Sequence, residues 1–318
     1  MEKDLLANVL SNYEDEIDIF ETYMEDLGYS DFTIRSYKDD ISIFLEYLHK
    51  KWQGFPSLSD IKPKHIQEFL RKTQKGKAKT TRNRRLMALR TFYKSLVKSE
   101  MLPFNPAQEV DMARTERNSL PTYLNEEELV AFFNSINEDE FYIRNKCMLM
   151  LMSLAGLRVI EVHHLNVTDL IRDQEDPGIR VFGKGNKERY IPLPPPLFEL
   201  LLDYEWNYRP VPKADHSNAF FLSRRGTRIS RRRIQEIAEE TFARLKNLTG
   251  TKYLREKKLS AHKLRHTFGT SLVKNGVDLV TIQELMGHSS LNTTQIYTHV
   301  NNKQKQDAMR NKDISRFF

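Results

Sequence analysis

Residues 260–299 read S-A-H-K-L-R-H-T-F-G-T-S-L-V-K-N-G-V-D-L-V-T-I-Q-E-L-M-G-H-S-S-L-N-T-T-Q-I-Y-T-H. The spacing predicts a helix over 262–274 stopped at Gly276, a short helix over 281–286 stopped by Gly287, and a third over 291–300 that carries Tyr297. On the first of these His262, Arg265 and His266 are i, i+3 and i+4, so the three side chains share one face. Imidazole thus lies beside guanidinium, with His288 and Tyr297 following closely in the chain.

Two upstream segments complement this stretch. Residues 142–155 read as a buried helix running into A-G-L-R-V-I-E-V-H-H-L, where Gly156 allows a tight turn and Arg158 opens the next helix. Next, I-R-V-F-G, K-G-N-K and E-R-Y-I-P-L read as strand, turn and strand, a β-hairpin with Lys184 at its tip and Gly185-Asn186 as turn residues. Residues 125–128 open a capped helix, and 197–209 and 229–248 are also expected to be helical.

The N-terminal part reads as four helices. An acidic amphipathic helix covers 12–28 and ends at Gly28. Ser30 or Asp31 caps a second, with Ile34, Tyr37, Ile41, Phe44, Leu45 and Leu48 at helical spacing. Ser59 and Asp60 open a third, carrying Ile66, Phe69 and Leu70. The fourth starts near Thr80, buries Leu86, Leu89, Phe92 and Leu96, and leaves Arg82, Arg84, Arg85, Arg90 and Lys94 for other faces. Prolines and polar residues after Pro103 mark a break. The expected domains are residues 1–110, a linker at 111–121, a second domain at 122–300 and a tail at 301–318.

The length of 318 residues favours two domains. No 18-residue apolar run is present and no secretory signal opens the chain. The single cysteine, Cys147, cannot form an internal disulfide, its neighbours Lys146, Met148, Leu149 and Met150 suggest a buried thiol, and together these features point to the cytoplasm. The net charge of +7 is modest but unevenly placed: residues 1–40 hold twelve acids and three basic residues, residues 71–98 hold eleven Lys/Arg and no acid, and residues 223–233 hold six Arg. Acid-free basic blocks favour an anionic polymer as partner over a merely solvated surface.

A phosphodiester suits these side chains. Its pentavalent transition state concentrates charge on the non-bridging oxygens, so cleavage needs fixed cations, a nucleophile and an acid for the leaving oxygen. Two arginines, Arg158 and Arg265, can clamp both oxygens because their planar forks stay charged. Each feature also has an ordinary reading: an arginine after Gly-Leu is usually a cap or surface residue, and Tyr297 is one of thirteen tyrosines. His262 and His266 lack a nearby Glu or Cys as third ligand, so no metal site is expected, and K-G-N-K does not match a phosphate-binding loop.

Order and spacing decide between these readings. G-L-R-x-x-E (156–161), G-K-G-N-K-E-R (183–189), H-K-L-R-H-T-F (262–268) and M-G-H-S-S-L-N-T-T-Q-I-Y-T-H (286–299) together resemble the tyrosine recombinase (phage integrase) family, most closely its short Xer-type members. The likeness spans nearly the whole chain and implies a mainly α fold. A four-helix, SAM-like core-binding domain would precede a mostly helical α/β catalytic domain with a small β-hairpin or sheet.

The resemblance also implies roles. Arg158 and Arg265 would bind the scissile phosphate, Lys184 would protonate the leaving 5′ oxygen, and His262 would take or share the tyrosine proton. His288 would hydrogen-bond a non-bridging oxygen, and Tyr297 would attack to give a 3′-phosphotyrosyl bond. Glu161 stands where the family often has a supporting acid, and His266 takes a structural place. No cofactor and no metal are needed. Met286 replaces a usual Leu, a volume-conserving swap, and Gly269 replaces a common Ala. His163 and His164 are atypical and carry no assigned role.

Lys77, Lys79, Arg82 and Arg85 are expected to touch DNA phosphates from one domain, and Arg231, Arg232 and Arg233 from the other. The tail's apolar residues Met309, Ile314, Phe317 and Phe318 read either as chance hydrophobes in a frayed end or, as the resemblance implies, as a segment that docks on a neighbouring subunit in a homotetramer, or in a heterotetramer with a related recombinase. No extra domain is read before residue 12, which disfavours the larger integrases that bind separate arm sites. Two rivals stay open at this stage: a type IB-like topoisomerase and a DNA-binding module that does not cut.

Overall fold

The computed structural model describes residues 2–73, 76, 78–114, 122–183, 187–249 and 259–287. The chain separates into two compact units, Met1–Asn118 and Ser119–Phe318.

The first unit is helical. An additional helix, α1 (Glu2–Ser11), precedes the four expected ones, which are α2 (Glu14–Asp26), α3 (Asp31–Trp52), α4 (Pro63–Thr73) and α5 (Lys79–Lys98). Gly28 takes a φ of 68° just past α2, as a helix stop requires, and the Ser30 side chain caps α3 by accepting from the Thr33 N–H. The expected third helix begins later than Ser59. Residues Leu58–Asp60 form a 3-10 turn and α4 starts at Pro63, where the proline ring suits the first helical turn. The apolar stripes converge on one core in which Phe44 meets Phe69 and Phe20 meets Phe92 edge-on, at centroid distances of 5.0 and 5.9 Å.

Arg85 corrects the expected DNA-contact face. It is only 4% exposed and turns into this unit, where it donates to Asp40 on α3 (3.4 Å) and to the Thr73 carbonyl (3.1 Å). Arg84 pairs with the other Asp40 oxygen at 2.8 Å. A buried carboxylate needs such partners; burial still leaves the Asp40 pKa above its ordinary value, although the charges of Arg84 and Arg85 pull it down. Arg82 donates to the Asp111 carbonyl at 3.0 Å, which ties the end of this unit to α5. Lys79 is exposed at the start of α5, and Lys77 lies outside the described residues.

The second unit is mostly helical around a small sheet. Its elements are α6 (Glu126–Asn134), α7 (Tyr142–Leu154), α8 (Val159–His164), β1 (Leu170–Ile171), β2 (Gly178–Phe182), β3 (Glu188–Pro192), α9 (Pro195–Asp203), α10 (Arg231–Thr249), α11 (Ala261–Lys274) and α12 (Leu279–Met286). Asn125 and Glu128 form a full capping box at α6. Helix α7 is buried along most of its length, Arg144 and Asn145 included, as its place against α8, α9, α10 and α11 demands. Cys147 on α7 is fully buried, and burial pushes its thiol pKa up. The hairpin is antiparallel, with Phe182 opposite Glu188 and Ile179 opposite Ile191, and the two-residue β1 adds a third strand alongside β2. No helix among the described residues is long and apolar enough to cross a membrane.

Candidate active site

Three arginines from three elements meet one buried carboxylate in the second unit. Arg158 is the N-cap of α8, and Glu161, three residues on, accepts from its backbone N–H at 2.8 Å. The Arg158 guanidinium returns to the same carboxylate at 2.8 Å. Arg189 on β3 reaches it with both terminal nitrogens, each at 2.9 Å. Arg265 on α11 stands 3.8 Å from it. Burial pulls the Glu161 pKa upward, but the hydrogen bond and charge of Arg189, then those of Arg158, outweigh it and hold the carboxyl below its ordinary value.

The same three arginines meet again at the end of α12. Arg189 donates to the Leu285 carbonyl at 3.0 Å, Arg265 to the Met286 carbonyl, and Arg158 to the Gly287 carbonyl at 3.0 Å. A helix leaves its last carbonyls unpaired and carries partial negative charge there, so three cations are a fitting termination. Gly287 ends α12 with a φ of 59°, and a Cβ there would lie 2.9 Å from Arg189. The turn before Arg158 is equally specific. Gly156 has a φ of 69°, a Cβ on it would fall 2.3 Å from the Phe268 ring, and its carbonyl accepts from Arg265.

On α11 the predicted shared face is present. The rings of His262 and His266 stand edge to face with centroids 4.6 Å apart, while Arg265 is 2% exposed. Partial desolvation, then the charges of Arg265, Lys263 and Arg158, depress the His262 pKa, which favours the neutral imidazole that can accept a proton. The structure thus brings together Arg158, Glu161, His262, Arg265 and His266. Lys184, His288 and Tyr297 lie outside the described residues. The strands flanking Lys184 are described, and Gly183 closes toward Lys187 with an N–H to carbonyl bond of 2.8 Å.

Sequence reading assigned Arg189 no role. A signal for it existed: Arg189 and Ile191 share one face of β3, and Ile191 is buried. A charged residue at an inward strand position calls for a partner. His163 and His164 touch one another at 4.6 Å, and His163 bonds the Ile229 carbonyl, which holds the start of α10.

Chemically, among the described residues three permanent cations, Arg158, Arg189 and Arg265, gather within 4 Å of one carboxylate, beside an imidazole whose pKa is lowered. Such a constellation suits a bound phosphate. Arg231, Arg232 and Arg233 are exposed in the first turn of α10. Arg232 pairs with Glu236 at 2.9 Å, and Arg233 with Glu240 at 2.8 Å.

Comparison with known proteins gives the following. The Phage integrase family profile matches residues 122–304, and the profile for the phage integrase N-terminal SAM-like domain matches residues 17–100. Tyrosine recombinase XerC of Natranaerobius thermophilus is 32% identical over 295 residues, which cover 90% of this chain and 93% of that protein. Tyrosine recombinase XerD of Oceanobacillus iheyensis is also 32% identical over 295 residues, covering 91% and 95%. Among solved structures, the XerH site-specific recombinase bound to palindromic difH substrate, a post-cleavage complex, matches with a TM-score of 0.73 at 25% identity, covering 96% of this chain and 88% of that one.

Proposed function

This chain belongs to the phage integrase family and is a site-specific tyrosine recombinase, and from that premise we propose how its residues divide the reaction. The substrate is double-stranded DNA, a reading supported by the similar XerH site-specific recombinase, which is bound to a palindromic difH substrate. Tyr297 attacks the scissile phosphorus, its oxygen forms the 3′-phosphotyrosyl bond, and the bond to the 5′ oxygen breaks. Lys184 protonates that oxygen, and His262 takes or shares the tyrosine proton. Arg158, Arg265 and His288 hold the non-bridging oxygens, and Glu161 braces the arginines. The free 5′ hydroxyl of another strand then reverses the step, so strands rejoin through a Holliday junction with no external energy.

The observation that carries this reading is the convergence of Arg158 and Arg265, from separate elements, on Glu161 beside His262. Residues 1–110 serve as the core-binding domain and 122–300 as the catalytic domain, joined by 111–121. Assembly is a tetramer on DNA, of this chain alone or with a related recombinase, and the tail at 301–318 links subunits. The protein works in the cytoplasm. Relatives named XerC and XerD match equally well, and both chromosome-dimer resolution and the movement or resolution of a mobile element fit.

The test is strand exchange between two differently labelled duplexes. Recombinant product should accumulate only when both carry the site. Relaxation of supercoiled DNA without exchange would favour a type IB-like topoisomerase, and binding with neither outcome a module that does not cut.

A separate prediction concerns α10. Replacing Arg231, Arg232 and Arg233 by Ala should leave the fold intact, because ion pairs this exposed to water add little to stability. DNA affinity should fall, and the slope of log affinity against log salt should shrink by about 0.9 for each phosphate that is no longer neutralised. Fluorescence anisotropy across a salt series measures both. Unchanged affinity and slope would remove these arginines from the DNA-binding surface.

A further inference from the structure

Arg189 spends three donors on two targets. Its terminal nitrogens grip both oxygens of Glu161 at 2.9 Å, and its Nε bonds the Leu285 carbonyl at 3.0 Å. Its side chain is 11% exposed. Each Glu161 oxygen therefore accepts twice: one from the Arg158 and Arg189 guanidiniums, the other from the Arg158 backbone N–H and Arg189. That fills the usual capacity of a carboxylate. Arg158, with its side chain 33% exposed, keeps one fixed orientation, and Arg265 is left 3.8 Å away.

We propose that Arg189 is a positioning residue for phosphate binding: by saturating Glu161 and clamping the end of α12, it holds Arg158 in the orientation that meets the scissile phosphate. This rests on the reading that Arg158 binds that phosphate. Without Arg189 each carboxylate oxygen has a vacant acceptor position, and Arg158 turns further into the carboxylate, away from the substrate. Lysine cannot substitute, because a single ammonium has no bidentate fork.

The test compares two nicked duplexes carrying the recombination site. One has an ordinary phosphodiester at the scissile position, the other a methylphosphonate, which lacks the negative charge that Arg158 would meet. On the phosphodiester, Arg189→Lys should lose about 10²-fold in cleavage rate while site affinity holds, the cost of a misplaced group. On the methylphosphonate it should cleave within about 5-fold of the parent, since the group it positions is no longer required. Combining it with Arg158→Ala should add little to the loss from Arg158→Ala alone. Equal loss on both substrates, additive losses, or no loss on the phosphodiester would overturn the proposal.

Arg158→Ala measured on the same pair separates the two levels. If its own loss is not relieved on the methylphosphonate, the phosphate-binding role of Arg158 falls, and this proposal with it. Should Arg189→Lys fail to fold, Arg189→Gln, which is neutral and lacks the guanidinium fork, takes its place and must show the same dependence on substrate charge.

Discussion

Replacing Glu161 by Ala is expected to lower the stability of the second unit by about 3–5 kcal/mol, because it leaves buried guanidiniums without their anion. Glu161 is 5% exposed, and Arg158, Arg189 and Arg265 all lie within 4 Å of it. For a unit of this size the loss corresponds to a melting temperature lower by roughly 6–20 °C. DNA cleavage should fall further than DNA binding, since the arginines that lose their brace are those assigned to the phosphate.

The pH dependence has a definite sign. The folded-state pKa of Glu161 is held below its ordinary value. Its contribution is therefore complete above the unfolded glutamate value of about 4.3 and is lost as pH falls through the lower folded value. Calorimetry across pH 3–7 should show the parent losing stability in acid over that window, and Glu161→Ala following a flatter curve. An unchanged melting temperature at neutral pH would contradict the network.

How much of this was legible depended on the range of each interaction. Local signals read well. The i, i+3, i+4 spacing of His262, Arg265 and His266 gave one helix face, and Gly156 and Gly287 marked a turn and a stop that both take positive φ. The hairpin followed from alternating strand residues around Gly185-Asn186. Long-range partners were not legible. Arg85 looked like one more cation in a basic run, yet its partner Asp40 sits on another helix, and only packing brings the two together. Arg189 stood within the G-K-G-N-K-E-R motif without a role because both its targets, Glu161 and Leu285, are remote in sequence. The two-residue β1 carried no periodicity to detect. Helix α4 starts at Pro63 instead of Ser59, because the serines close a 3-10 turn first.

Replacing Tyr297 by Phe should have the largest effect on chemistry and little on anything else. The change removes one hydroxyl and keeps the ring, so site affinity should stay within about twofold while covalent cleavage disappears, as expected for the loss of a nucleophile. No other tyrosine stands at the matching place in the motif M-G-H-S-S-L-N-T-T-Q-I-Y.

Covalent trapping measures this directly. The protein is incubated with a nicked duplex carrying its site, sought first in DNA flanking the gene, so that the cut fragment diffuses away, and the mixture is run on a denaturing gel. A protein–DNA band in the parent that is absent in Tyr297→Phe is the predicted result. An adduct that persists in Tyr297→Phe, or a parent that binds its verified site and yields none, would contradict the assignment of Tyr297 as the nucleophile.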